Sequence, residues 1–274
     1  MVTGSARAAV SYLRRIQLSC YARQLSTNCT KCQIVRRRLE RSGETMSSEQ
    51  IADKRVHLYT PVNKGQRRTL SGLSSAAGTL DLEDPKAVER LHGDMVSFRE
   101  EIHLHASNEE KFIHPLLSAR IPGMARPFEK DHVVLHRMLD ELVGHSERMR
   151  TEQLDRPSRE SMALEFYRAL NRFSSFYLAH VDREQEGKQV TLWAHYSDEV
   201  LAAAFGRILA AQTPPEMMMN LGHMLPAMNP AERIGLLGMA KAGMPPAAFN
   251  AAAELAGRVL SPADWADVRK KLGI

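Results

Sequence analysis

Six residues of this sequence form three pairs of metal-ligand type, with the two members of each pair four positions apart. The pairs are His105 with Glu109, His132 with His136, and His180 with Glu184. On a helix, two residues four positions apart lie on the same face in successive turns, so each pair can chelate an ion. Imidazole nitrogens combined with carboxylate oxygens suit iron, zinc or manganese, and carboxylates can bridge two ions. The three pairs therefore predict a metal site.

A single pair of this kind would be weak evidence for a metal site. With 11 histidines in 274 residues, a helix-spaced pair of His with His or Glu arises by chance about once in a chain of this length. Three pairs, on three separate segments with apolar residues on their other faces, are harder to attribute to chance. Burying these side chains without a metal would also leave desolvated polar groups that need other partners, so metal binding is favoured over a buried polar network.

Four long helices are predicted to position the pairs. Thr60-Pro61 and Asp84-Pro85 each combine a capping residue with a proline at the first helical position, which favours a helix start. A third helix is expected to begin near Pro127, and a fourth follows the polar linker from Thr151 to Pro157. Short connections make successive helices neighbours, so the fold class is predicted to be all-α, with an antiparallel up-down four-helix bundle over 58–195.

A small C-terminal helical region is predicted over 196–274. Four short helices within it should each start just after a proline, at Pro214-Pro215, Asn229-Pro230, Pro245-Pro246 and Ser261-Pro262. The many methionines of this region are expected to fill gaps between short helices, because the flexible thioether packs irregular spaces. An adaptable binding surface is the alternative.

The first 45 residues differ in composition from the rest. They hold nine Lys/Arg against two Glu, a net charge of +7, so the remaining residues carry a net charge of −2. All three cysteines, Cys20, Cys29 and Cys32, also lie here. A lone C-x-x-C is weak evidence for zinc or redox chemistry. Residues 1–45 are predicted to be a disordered or targeting-like extension, either a mitochondrial-type peptide or a segment upstream of a start at Met46.

The composition also argues against several functions. The near-neutral body disfavours nucleic-acid binding, and no apolar run approaches the roughly 18 residues of a membrane-spanning helix. A body without cysteine fits a reducing compartment, so we expect a cytoplasmic protein, or a mitochondrial one if residues 1–45 direct it there. Nothing in the sequence indicates a protein partner.

At the three pairs, the sequence resembles the hemerythrin-like (HHE cation-binding) family over about 60–195. This resemblance implies a non-haem di-iron centre that binds or senses dioxygen or a related small molecule, such as nitric oxide or peroxide, or handles iron. Carried over by position, His132, His136 and His180 would hold one iron, Glu109 and Glu184 would bridge, and His105 would hold the second iron. In typical members the last carboxylate stands five residues after its histidine, where this chain has Gln185; Glu184 fits a common variant.

One departure concerns the family's first-helix histidine, whose matching position here is Asn63. An amide oxygen is a weaker iron ligand than imidazole. Three outcomes follow from this change. Asn63 or a water molecule can complete a more open di-iron site, the second ion can be absent so that the site is mononuclear, or the site has lost its ability to bind metal. An open coordination position also allows an alternative function as a di-iron or mono-iron oxidase or oxygenase. We expect His103 on the surface and His114 at a helix end, both outside the site.

Overall fold

The computed structural model describes residues 55–274, and this part of the chain is helical, with no β-strand among the described residues. The all-α prediction is confirmed. Residues 1–54 lie outside the described residues, and with them the predicted targeting-like segment 1–45 and its three cysteines. Within 55–274, no helix combines the length and the apolar character that crossing a membrane requires.

The four predicted long helices are present, and each of the last three begins within a residue or two of its start signal. The helices of the N-terminal half are α1 (Thr60–Gly78), α2 (Pro85–Asn108), α3 (His114–Arg120), α4 (Arg126–Thr151) and α5 (Arg156–Arg183). The carboxylate of Asp84 accepts a hydrogen bond from the Lys86 backbone N–H and so caps α2. In α1 the capping position is Tyr59 rather than Thr60, and its side chain makes no capping hydrogen bond.

The four long helices pack in a closed ring: α1 contacts α2, α2 contacts α4, α4 contacts α5, and α5 contacts α1. Their apolar faces meet in one core, whose fully buried members include Met95, Phe98, Leu139 and Phe173. Burying large apolar side chains is the main stabilising term in such a bundle. The alternating up-and-down direction of the helices stays a prediction.

Two short π-helical segments interrupt the regular helices. The first π segment (Glu109–Ile113) joins α2 to α3, and the second π segment (Glu184–Gln189) follows α5. In the first, the His114 backbone N–H donates to the Glu109 carbonyl five residues earlier. Pro115 has no N–H to offer the α-helical ladder, which is compatible with this wider turn. Regular helical periodicity does not reveal such segments.

Six α-helices follow the second π segment, and the last four of them share a core of their own. The six are α6 (Val190–His195), α7 (Asp198–Ala211), α8 (Pro214–Met224), α9 (Pro230–Gly243), α10 (Pro246–Val259) and α11 (Pro262–Leu272). The last four begin at the predicted prolines. Leu225, Leu237 and Ala252 are buried together, and Met217 and Met224 pack against them, so these methionines do fill gaps between short helices.

Helix α8 lies close against the bundle. A Cβ added at Gly65 of α1 would stand 3.1 Å from the backbone carbonyl of His223, so glycine allows the close approach of the two helices. The side chain of His223 also pairs with the buried carboxylate of Glu101 on α2. The C-terminal region therefore covers the side of the bundle formed by α1 and α2.

Candidate metal centre

Four of the predicted ligands converge in the interior of the bundle. Glu109, His132, His180 and Glu184 are all buried, and each offers one ligand atom within 4.8 Å of the others'. Nε2 of His180 lies 2.8 Å from Oε1 of Glu184, and Nε2 of His132 lies 3.2 Å from Oε2 of Glu109. The first residues of the two π segments, directly after α2 and α5, supply the carboxylates, and α4 and α5 supply the imidazoles.

His105 stands beside the same carboxylates. Its Nε2 lies 3.7 Å from Oε1 of Glu109 and 3.8 Å from Oε2 of Glu184. None of these three buried atoms has a hydrogen-bond partner among the described residues. Two ligand atoms that each sit about 2.1 Å from one ion can be no more than about 4.2 Å apart, so both separations allow a shared ion. The orphaned atoms and their donor chemistry fit a divalent cation.

Outer carboxylates orient two of the imidazoles. Nδ1 of His132 lies 2.9 Å from Oε1 of Glu110, and Nδ1 of His180 lies 3.1 Å from Oδ2 of Asp131. Asp131 also forms an ion pair with Arg183. A carboxylate on the outer nitrogen turns the other nitrogen of the ring inward and raises its basicity, which is how histidine ligands are commonly held in metal sites.

Lys188, which was not among the predicted site residues, lies at the centre of the site. Its Nζ donates to Oε2 of Glu109 at 2.9 Å and to Oε1 of Glu184 at 3.2 Å. The side chain is fully buried, and Nζ lies 4.3 Å from the centre of the Phe128 ring. Its spacing in the sequence could have indicated this position. Lys188 follows Glu184 by four residues, as Glu184 follows His180, so the three side chains can share one helix face.

The opposite charges of Lys188 and of the two carboxylates stabilise one another's ionised forms. Burial alone would lower the pKa of Lys188, but the carboxylates of Glu109 and Glu184 outweigh it and raise that pKa. Burial alone would raise the pKa of Glu184, but Lys188 and the neighbouring histidines hold it well below its usual range. Burial and the neighbouring Glu184 would raise the pKa of Glu109, but Lys188 and the histidines His105 and His132 outweigh them and lower it. Lys188 is therefore a buried ammonium, and the two carboxylates are ionised.

His114, expected at a helix end outside the site, lies beside the candidate ligands instead. It is buried, with Nε2 3.2 Å from Nζ of Lys188 and 3.9 Å from Oε2 of Glu109. Burial, followed by the Lys188 ammonium, lowers the pKa of His114 to about 4, so the ring is neutral near pH 7. The cause of the misplacement is the first π segment, since a π turn brings residues five apart onto one face, where an α-helix does so for residues four apart.

Three predicted ligands lie outside the group of four: His105 stands beside its carboxylates, whereas His136 and Asn63 lie further away. The His136 ring is half-buried, with its centroid 4.0 Å from that of His103 and 6.3 Å from that of His132. His103, expected on the surface, is thus partly covered. Asn63 is fully buried on α1, and neither atom of its amide has a hydrogen-bond partner among the described residues. Ligand roles for His136 and Asn63 remain predictions.

An apolar cavity of about 110 Å³ adjoins the centre. His105, Glu109 and Tyr59 line it on the bundle side. On the other side α7 supplies Phe205 and Ile208, and α8 supplies Met217 and Leu221. The C-terminal region therefore forms one wall of a space that reaches two of the candidate ligands.

The family model described as Hemerythrin HHE cation binding domain matches residues 56–187. The matched segment contains α1 to α5 and all seven predicted ligands, and it ends one residue before Lys188. Comparison of the chain with curated proteins and with solved structures gives no match.

Proposed function

Residues 56–187 of this chain belong to the hemerythrin HHE cation-binding family, and from this we propose that the buried centre binds iron. The observation that supports the proposal most strongly is the convergence of Glu109, His132, His180 and Glu184 in the interior, within 4.8 Å of one another. His105 adds a nitrogen whose position beside both carboxylates suits a fifth ligand.

We further propose that the iron centre binds or senses dioxygen or a related small molecule such as nitric oxide or peroxide. Iron, when bound, supplies an open coordination position and changes of oxidation state. The chain's own residues supply the rest: Glu110 and Asp131 hold the imidazoles in orientation, and the core around the carboxylates keeps bulk water out. The apolar cavity offers a small, uncharged molecule a place beside Glu109 and His105.

A second candidate function is that of an oxidase or oxygenase. The observation in its favour is the cavity, because about 110 Å³ of apolar space approaches the roughly 150 Å³ that accommodates a benzene-sized molecule. An apolar substrate in that space would lie beside the same ligands as the small oxidant. Turnover of such a substrate by the iron-loaded protein would favour this function, whereas reversible binding alone would favour a sensor or carrier.

Elemental analysis of the purified protein tests the proposal. We expect iron in the wild type and its loss in His132→Ala and Glu184→Ala, because each change removes a ligand from the buried group. His195→Ala, which alters an exposed histidine outside the site, should keep the wild-type content. A wild type without metal, or an unchanged metal content in His132→Ala, would overturn the proposed function.

A further inference from the structure

The two carboxylates at the centre already bind a cation that the chain itself supplies. The Lys188 ammonium contacts one oxygen of each, Oε2 of Glu109 and Oε1 of Glu184, at 2.9 and 3.2 Å. All three side chains are at most 1% exposed. Solvent therefore screens this interaction very little, which strengthens the attraction between the ammonium and the two carboxylates.

The surroundings of Lys188 hold the ammonium in this position. The aromatic rings of Phe128 and Tyr59 have centroids 4.3 and 5.2 Å from Nζ, a range in which the face of a ring attracts a cation. The neutral ring of His114 presents Nε2 at 3.2 Å. Carboxylates, aromatic faces and an imidazole nitrogen thus surround the charge on several sides.

We infer that the Lys188 ammonium takes the place of one of the two cations that Glu109 and Glu184 would otherwise bridge, so that the centre holds a single metal ion. The inference rests on the proposed function and narrows it from an iron centre to a mononuclear one. Lys188 occupies one oxygen of each carboxylate. The other two oxygens, which face His105, have no hydrogen-bond partner among the described residues and stay available to one ion.

Charge favours the same conclusion. The two buried carboxylates carry two negative charges, and one divalent ion with one ammonium carries three positive charges. Of the outer carboxylates, Asp131 is paired with Arg183 and Glu110 is 47% exposed to solvent. A second divalent ion within a few ångströms would add two more positive charges in a site with little solvent to screen them. Asn63 also disfavours a second metal ion, because its neutral amide stands where the resemblance places an imidazole ligand for that ion.

The test is the number of iron ions per chain in the wild type and in Lys188→Ser, measured on full-length protein loaded with excess ferrous iron and freed of unbound metal. Electron paramagnetic resonance after oxidation gives an independent measurement, since an isolated ferric ion gives a signal and a coupled ferric pair gives none. Lys86→Ser, at an exposed lysine near the other end of α2, is the control for removing a lysine.

We expect about one ion per chain and the isolated ferric signal in the wild type and in Lys86→Ser. Lys188→Ser should bind about two ions per chain and lose the signal. Two coupled ions per wild-type chain would overturn the inference and leave the proposed iron binding intact, and this result does not depend on whether Lys188→Ser folds. An unchanged single ion in a folded Lys188→Ser would also overturn it. A wild type without iron would instead overturn the proposed function.

Discussion

Replacing Lys188 by methionine should destabilise the protein strongly when no metal is present. Methionine is similar in length but carries no charge, so the change leaves the volume nearly filled while removing the partner of Glu109 and Glu184. Those carboxylates are 1% and 0% exposed, and water cannot replace the lost ammonium without opening the core. Removing one partner of a buried ion pair costs about 3–5 kcal/mol.

This cost corresponds to a measurable change in melting temperature. For a domain of 150–250 residues, 1 kcal/mol shifts Tm by about 2–4 °C, so Lys188→Met should melt roughly 6–20 °C below the wild type in the presence of a chelator. Differential scanning calorimetry gives the measurement, and the exposed lysine in Lys86→Met should leave Tm close to that of the wild type. If Lys188→Met melts within a degree or two of the wild type, the buried ammonium is not the partner of these carboxylates and the reasoning fails.

Three further changes test other parts of the structure. Asp131→Asn, which weakens the support of His180, should lower metal affinity by about 10- to 100-fold in calorimetric titrations, whereas the exposed Asp182→Asn should not. Gly65→Ala, whose new Cβ would stand 3.1 Å from the backbone of α8, should cost about 1–3 kcal/mol in urea denaturation. Its matched control is Gly72→Ala in the same helix, where nothing lies within 4 Å of the new Cβ; this change should stabilise by about 0.5–1 kcal/mol. Ile208→Trp should fill the apolar cavity and abolish binding of xenon there without changing the iron content, and retained xenon binding would mean that the cavity is not the accessible space beside His105.

The helices and the convergence of their ligands could be predicted because they depend on local patterns. A capping residue followed by proline specifies where a helix begins, as at Asp84-Pro85, and apolar spacing specifies which face turns inward. Once the inward faces of α2, α4 and α5 are known, residues four apart on those faces must meet near the bundle axis. Glu109, His132, His180 and Glu184 do so.

Lys188 and His114 could not be found in this way for two physical reasons. A lysine is expected in water unless specific charges compensate its burial, and the sequence alone did not show that two carboxylates would surround Lys188. His114 stands five residues after Glu109, a spacing that shares a face only in a π turn, and regular helical periodicity assigns it to another direction. The omission of Lys188 therefore comes from the burial of a charge, and that of His114 from a segment where the helix departs from its regular geometry.

The position of the C-terminal region against the bundle could not be predicted from the sequence either. The sequence predicts its short helices from their prolines, but their packing against α1 and α2 depends on a close approach at Gly65 and on the pairing of Glu101 with His223. Such contacts join residues more than a hundred positions apart. The apolar cavity beside the centre results from this packing and could be identified only in the structure.

The most direct test of the metal centre is an anomalous difference map, collected at the iron absorption edge, from crystals of the iron-loaded protein. We predict one strong peak within bonding distance of the carboxylates of Glu109 and Glu184 and of at least one inward imidazole nitrogen, with Lys188 still in contact with the carboxylates. A map without a peak between these residues, or with iron bound elsewhere on the chain, would show that this cluster is not the iron site.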